Sequence, residues 1–334
     1  MRFQIYVPTF RRPEKLKKAL ASIQSQTTTD WVCEVINDDP QDSGPEAYVA
    51  SLKDPRIRCI RNLENWGPVR LFNYFFSKPT SADFVTVLED DNWWEPNFLQ
   101  EMAEVAACYP DVYLFWNNMR IWVEKEDDSM FDAEVCIWKD EAFLKKALFF
   151  DWPAKNYPLL RSVLGPIHSH GAMLVRSKHA KDCLVPSDSP ATVIEAIRER
   201  NFVYPIVLVT QPLSYFLLNH VTYRSKQNYL VCLMLLLGSY LEKTQPSLST
   251  EKQLWEEARR KEFKVSAALL MVSLVLKRWS SIIKYSNWKD WFLVMRSLLF
   301  HFPETLKALS FKKDHPMVWK FLTREARYSL RESP

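Results

Sequence analysis

Glycine is scarce in this chain: five occur in 334 residues, at Gly44, Gly67, Gly165, Gly171 and Gly238. No two lie close enough to cradle a phosphate. Walker loops, dinucleotide fingerprints and the glycine-rich entry loop of sugar nucleotidyltransferases are therefore excluded. Cysteine offers no framework either. Cys33, Cys59, Cys108, Cys136, Cys183 and Cys232 form no Cys-x-x-Cys pair and lie mostly in apolar stretches, which reads as buried thiols in a reducing compartment. Long apolar runs are missing too. Tyr229 to Leu237 and Val265 to Leu276 fall short of the roughly 20 residues that a spanning helix needs. The N-terminal apolar run meets charge at Arg11, too early for a signal peptide. A cytoplasmic protein is expected, with peripheral contact at the inner face of a membrane left open.

What is present is an ordinary globular balance, 47% hydrophobic and 25% charged residues, in a chain long enough for one large domain with an addition. The formal net charge of +4 conceals an asymmetry. Residues 225–334 carry 19 Lys and Arg against 10 Asp and Glu, so the balance of residues 1–224 is acidic. The pattern changes at the same place: strands and helices alternate before it, and helices dominate after it. The expected organisation is an α/β nucleotide-binding and catalytic domain over 1–224 and a basic helical region over 225–334.

Along the first part, Phe3 to Val7 reads as a strand, Glu14 to Gln24 as a helix, and Trp31 to Ile36 as a second strand closed by Asn37-Asp38-Asp39-Pro40. Ile57 to Ile60 reads as a third strand and Val69 to Phe76 as a helix. Phe84 to Leu88 is a run that is apolar but for Thr86, as a strand covered on both faces should be, and it ends in Glu89-Asp90-Asp91-Asn92. Ligands of open α/β sheets bind at the carboxyl ends of the strands, so two acidic strand ends could converge on one site. Carboxylates gathered there would repel each other unless a hard divalent cation, magnesium, manganese or calcium, lay between them. Turn formation and helix capping by the same acids is the alternative reading.

These residues resemble a known family. Val7-Pro8-Thr9-Phe10, Ser25-Gln26-Thr27, Val35-Ile36-Asn37-Asp38, Asn65-Trp66-Gly67 with Arg70, and Leu88-Glu89-Asp90-Asp91-Asn92 with Pro96 are similar, in order and spacing, to family 2 glycosyltransferases of the GT-A fold. The resemblance implies a mostly parallel, Rossmann-like sheet flanked by helices. It implies that Pro8, Thr9 and Phe10 border the nucleotide, with Phe10 packing on the base. Asp38 is similar to the carboxylate that accepts from a base, uracil for a UDP-sugar, and Arg70 to the basic residue near base and diphosphate. Glu89-Asp90-Asp91 stands where the family has its Asp-x-Asp motif, with Asp90 toward the ribose and Asp91 on the metal, Mn2+ or Mg2+. The sequence departs from the family in having Glu at the first position of that motif and Asn37 for the first acid after the second strand.

The implied reaction is an inverting displacement by a hydroxyl of a saccharide or lipid-linked glycan, which needs a carboxylate base. The family's acidic residue six positions before an Arg is absent here, since Thr192 precedes Arg198 and Ile194 precedes Arg200. Asp188 is the first candidate base and Glu195 the second, with helix capping and a solvated helix position as their alternatives. His220 is a candidate metal ligand. His168 and His170 are candidates for the acceptor rim, Trp93 and Trp94 for stacking on a sugar, and Glu124 to Asp140 for a mobile acceptor loop. Helices are expected over Gln227 to Lys243, Glu251 to Lys277, Trp288 to Phe300 and Pro316 to Arg327. Their basic balance and Trp288, Trp291 and Trp319 fit an anionic membrane surface or, equally, a solvated cap or homodimer face. No nucleic-acid motif accompanies them, so nucleic acid is not an expected partner. The competing readings are a transferase using a GDP- or dTDP-sugar and a catalytically silent GT-A-fold protein that binds carbohydrate or membrane.

Overall fold

The computed structural model describes residues 1–136, 146–150, 169–199, 206–218, 226–261 and 263–323. The chain opens with β1 (Phe3–Thr9), α1 (Pro13–Gln24), β2 (Trp31–Asn37), α2 (Gly44–Leu52), β3 (Ile57–Arg61), α3 (Gly67–Ser77) and β4 (Phe84–Val87). β1 pairs in parallel with β2 and β4, and β2 with β3. Every residue of β4, Phe-Val-Thr-Val, is buried, because helices cover both faces of the sheet there. α2 lies in a stretch for which no element is expected from the sequence. Pro45 occupies its first turn, where the missing N–H has no partner to lose and the fixed φ suits a helix.

The sheet continues through β5 (Trp93–Trp94), α4 (Phe98–Cys108), β6 (Leu114–Glu124), β7 (Met130–Cys136), β8 (Ala147–Phe150), β9 (Met173–Arg176), α5 (Ile194–Glu199) and β10 (Ile206–Leu218). Its strand order is β3-β2-β1-β4-β9-β6-β10-β5, with β7 on β6 and β8 on β10. β9 runs antiparallel to both β4 and β6, and it joins the parallel half to the longer strands. The stretch expected as a mobile loop from Glu124 is an antiparallel hairpin through Cys136; residues 137–140 lie outside the described residues.

Two apolar clusters sandwich the sheet. One joins its outer face to α1 and α4 through Leu16, Leu20, Phe98 and Met102. The other joins Tyr6, Val85, Val87 and Trp116 to α3 and onward to the helices that follow β10. Those are α6 (Lys226–Thr244), α7 (Leu248–Lys261), α8 (Phe263–Val275), α9 (Trp279–Tyr285), α10 (Trp288–Phe300), α11 (Phe302–Leu309), α12 (Phe311–Asp314) and α13 (Pro316–Thr323). The fold is thus a mixed α/β sheet with flanking helices and a helical C-terminal region. No helix among the described residues is long and apolar enough to cross a membrane.

Candidate active site

The carboxyl ends of β1, β2 and β4 are side by side, and Thr9 ties them together. Its carbonyl accepts from Asp38 N at 2.9 Å, and its Oγ1 donates to Asp90 Oδ2 at 2.8 Å. Both acidic strand ends are therefore one residue away from the end of β1. Their side chains do different things.

Asp38 is buried and turned into the chain. Its Oδ1 accepts from Asn62 Nδ2 at 2.7 Å and Trp66 N at 2.8 Å; its Oδ2 accepts from Asn65 Nδ2 at 3.1 Å and Gly67 N at 2.9 Å. Four donors fill the lone-pair positions of a carboxylate, so the expected role of Asp38 as acceptor for a base is revised. It is the scaffold of the loop 62–67 that leads into α3. Gly67 makes that loop possible by adopting φ +71°, a left-handed conformation that side chains disfavour. Arg70, one turn into α3, reaches Glu64 at 2.6 Å and covers the Trp66 ring at 4.3 Å, at the surface beside this loop. Pro8 is in β1 opposite Ile36, and Phe10 is exposed with Arg11 over its ring.

Asp90 and Asp91 instead face a cleft of about 520 Å³ lined by Phe10, Arg12, Lys15, Lys18, Trp93 and Glu124 among others. Arg12 bridges the two acids, Nη1 lying 2.7 Å from Asp91 Oδ2 and 3.3 Å from Asp90 Oδ1. Burial works against the guanidinium's charge, but both carboxylates hold its pKa above the ordinary value. Asp90 is raised by burial against the pull of Arg12 and Thr9. Burial, then repulsion from Asp90 and Glu89, pushes Asp91 up to about 7. Arg12 and the more distant Lys15 leave Asp91 raised, and a further cation with a taste for oxygen ligands would offset the remaining repulsion. Asp91 and Asp90 thus fit a divalent metal such as manganese or magnesium.

Glu89 leaves this cleft side for a second cluster. Its Oε2 accepts from Asn92 Nδ2 at 2.7 Å, Ser169 Oγ at 3.2 Å and Gly171 N at 3.3 Å. A Cβ on Gly171 would lie 3.3 Å from the Asn92 amide and 3.5 Å from Glu89 Oε2, so the backbone can approach this closely only without a side chain. His170, buried and stacked on Phe72 at 3.7 Å, places Nδ1 2.9 Å from Glu195 Oε1 and 3.5 Å from Glu89 Oε1. Burial opposes the imidazolium, yet Glu195 raises the His170 pKa. In return, against its own burial, Glu195 is lowered to about 2 by the His170 charge and hydrogen bond. The three groups lie close enough to share a cation; a charged His170, favoured by the direction of its shift and that of Glu195, would compete with one.

Asp188 is elsewhere. Its Oδ2 accepts from Met317 N at 2.9 Å and its Oδ1 from Val318 N at 3.1 Å, which caps the first turn of α13. With both oxygens occupied by helix N–H groups, its expected role as base is revised in favour of the capping alternative. Glu195 is the acid that the fold brings to Glu89 and His170. Trp93 stacks on Tyr215 at 5.1 Å and carries Lys18 Nζ 3.1 Å from its ring centroid at the cleft wall, while Trp94 is core, its Nε1 donating to Gly171 O. His220 and His168 lie outside the described residues. Sequence reasoning missed Arg12, Lys15 and Lys18. Their three-residue spacing along the start of α1 was the available signal, as was the adjacency of His170 to a glycine.

Comparisons with known proteins give a family match to part of the chain, a curated relative and solved structures of like fold. Residues 4–161 match Glycosyl transferase family 2. The chain is 33% identical over 119 residues to WcaA of Escherichia coli (strain K12), whose name assigns it to colanic acid biosynthesis as a glycosyl transferase. That match covers 33% of this chain and 42% of the relative. Among solved structures, S. aureus TarS 1-349 superposes with a TM-score of 0.55 at 14% identity, covering 97% of this chain and 83% of the other. Its complex with UDP-GlcNAc gives 0.56 at 13% identity, over 97% and 84%. At these identities the likeness shows a shared fold.

Proposed function

We propose that this chain, whose residues 4–161 match Glycosyl transferase family 2, is a member of that family and transfers a sugar from a nucleotide-sugar donor, a UDP-sugar, to a hydroxyl of a saccharide or lipid-linked glycan, with inversion. The observation that carries this reading is the Asp90–Asp91 pair: a buried acid and a half-buried one at the edge of the first half-sheet, the second raised to about 7, facing a cleft large enough for a ligand. The UDP assignment is supported by the UDP-GlcNAc complex of TarS, a protein of like fold. Residues 1–224 are the catalytic unit in this reading and residues 225–334 a basic helical addition that can meet a membrane surface.

Asp91, with Asp90 beside it, would hold manganese or magnesium, which when bound supplies Lewis-acid stabilisation of a leaving diphosphate. The rest is the work of side chains on this chain. Thr9 fixes the rotamer of Asp90, and Asp38 holds the loop 62–67 as a wall on the nucleotide side. Arg12 bridges Asp90 and Asp91 and favours their ionised forms against the burial that raises both. The acceptor oxygen forms its bond to the anomeric carbon as the bond to the diphosphate oxygen breaks, and the hydroxyl proton passes to Glu195, oriented by His170. A carboxylate lowered to about 2 is a weak base, so proton transfer is late, after positive charge has built on the sugar.

Incubation with UDP-sugars and manganese, with and without chelator, tests this. Slow, chelator-sensitive release of UDP is expected. Release of GDP or dTDP from the matching donors instead would move the donor class. Nucleotide binding without turnover, in the presence of a pool of acceptors, would identify a silent GT-A-fold protein.

A further inference from the structure

The C-terminal helices carry a surface of unusual character. In α10 apolar residues occupy both the side that meets the core, through Val294, Leu293 and Leu298, and the side that meets solvent. Its single acid, Asp290, is fully buried and accepts from Ser266 Oγ at 2.6 Å, Arg259 Nη2 at 2.8 Å and Asn287 N at 2.9 Å. Asn287 and Asp290 form a capping box, so the helix is anchored by these polar contacts together with Val294, Leu293 and Leu298. The opposite side shows Trp288, Trp291, Phe292, Met295 and Leu299 to solvent, with Trp288 at 71% and Leu299 at 72% exposure. Those positions follow i, i+3, i+4, i+7 and i+11, one continuous stripe along about 20 Å of helix. Neighbouring helices extend it: Trp279 and Ile283 of α9 and Phe302 and Leu306 of α11 are exposed as well.

A monomer rarely leaves that much contiguous apolar surface uncovered. The charges around the stripe select its occupant. Lys284, Lys289, Arg296 and Lys307 are all exposed on α9 to α11, while Asp290 is turned inward and Glu304 is half-buried. A second copy packed on this face about a two-fold axis would set these cations against their own equivalents. Anionic headgroups would neutralise them, and tryptophan side chains at the edge of an apolar face suit the headgroup boundary. Since no described helix can span a bilayer, the helices would lie in its plane.

We propose that the face formed by α9, α10 and α11 docks on an anionic phospholipid bilayer, with Trp288, Trp291, Phe292, Met295 and Leu299 entering the headgroup boundary and Lys284, Lys289, Arg296 and Lys307 meeting lipid phosphates. This deepens the reading of a lipid-linked acceptor, because it sets the enzyme on the surface where such an acceptor is held.

Flotation of the full chain with vesicles of phosphatidylcholine containing about 30% phosphatidylglycerol, and with pure phosphatidylcholine, is the test. The chain is expected to float with the anionic vesicles, and about tenfold less with neutral ones. Trp288→Ser with Leu299→Ser should weaken anionic-vesicle binding about tenfold or more, and Lys284→Glu with Arg296→Glu should weaken it similarly and flatten its salt dependence. Thermal unfolding of both double variants should match the parent, since all four side chains are exposed. No flotation of the parent, or equal flotation of the Ser variant, overturns the proposal. So does light scattering that shows a dimer which the Ser variant converts to a monomer while vesicles are ignored. UDP release is read in lipid-free solution, so loss of membrane docking and loss of transferase activity are separate outcomes.

Discussion

Two regions of this molecule break the usual rule of apolar inside and charged outside, in opposite directions. At the carboxyl edge of β1, β2 and β4, carboxylates are buried: Asp38 and Asp90 are at most 5% exposed. On α9 to α11 it is the tryptophans and leucines that are outside. Each inversion opposes stability when taken alone. Each is tolerated because something else on the chain compensates, hydrogen-bond donors and Arg12 in the first case, the anchored side of α10 in the second. The difference teaches where to look for ligands of each kind. Hidden, imperfectly compensated charge points to a small charged ligand, and displayed apolar surface points to a large apolar one.

The sharpest way to break the comparison is to remove the uncompensated charge. Asp91→Asn is expected to lower manganese-dependent UDP release by about 10³-fold or more. The same change removes repulsion with Asp90 and Glu89, so the thermal midpoint should hold or rise by about 2 °C. An activity loss accompanied by a falling midpoint would mean that Asp91 is structural. Glu195→Gln comes next, with kcat down about 10²-fold and the donor KM little changed; a change in KM alone would remove it from proton transfer. Asp38→Ala should act on stability. Four donors lose their acceptor, at a cost of about 3 kcal/mol in urea unfolding, whereas a small effect would mean that the loop 62–67 holds itself.

Much of the first region was legible in the sequence, because strands end where acids begin. The run Phe84 to Leu88 and its acidic tail could be read locally, as could the helix at Trp288 to Phe300, which has the observed bounds. What could not be read was the direction in which each acid points. Asp38 is set by donors 24 to 29 residues later, Arg12 meets Asp91 across 79 residues, and Asp188 meets Val318 across 130. A short side chain at a strand end has no local signature for such partners. Asp188 and Glu195 sit seven positions apart in sequence and are the first and second candidates for the base, yet one caps α13 and the other pairs with His170. That separation is measurable: Asp188→Asn should cost about 1 kcal/mol of stability through the lost cap and leave kcat unchanged. Equal kcat losses in the two variants would reinstate Asp188 at the site.

The smallest expected effect concerns an acid that is compensated within its own turn. Asp54 accepts from Arg56 Nη2 at 2.8 Å, Arg56 Nε at 3.0 Å, Arg56 N at 3.1 Å and Gln24 Nε2 at 3.3 Å, and the Arg56 side chain holds its pKa down to about 2. A depressed carboxylate contributes its stability above the unfolded value near 4 and loses it as pH falls toward 2. With a third of the Arg56 side chain in solvent, screening limits the contribution to about 1 kcal/mol or less. Asp54→Asn should therefore be less stable than the parent at pH 6, and the gap should narrow at pH 3. The Trp288→Ser and Leu299→Ser variant, which alters neither a carboxylate nor a partner of one, should show the same difference from the parent at both pH values. If the Asp54→Asn gap is constant instead, the pair adds nothing in solution, and the compensation that matters in the α/β part is confined to its buried acids.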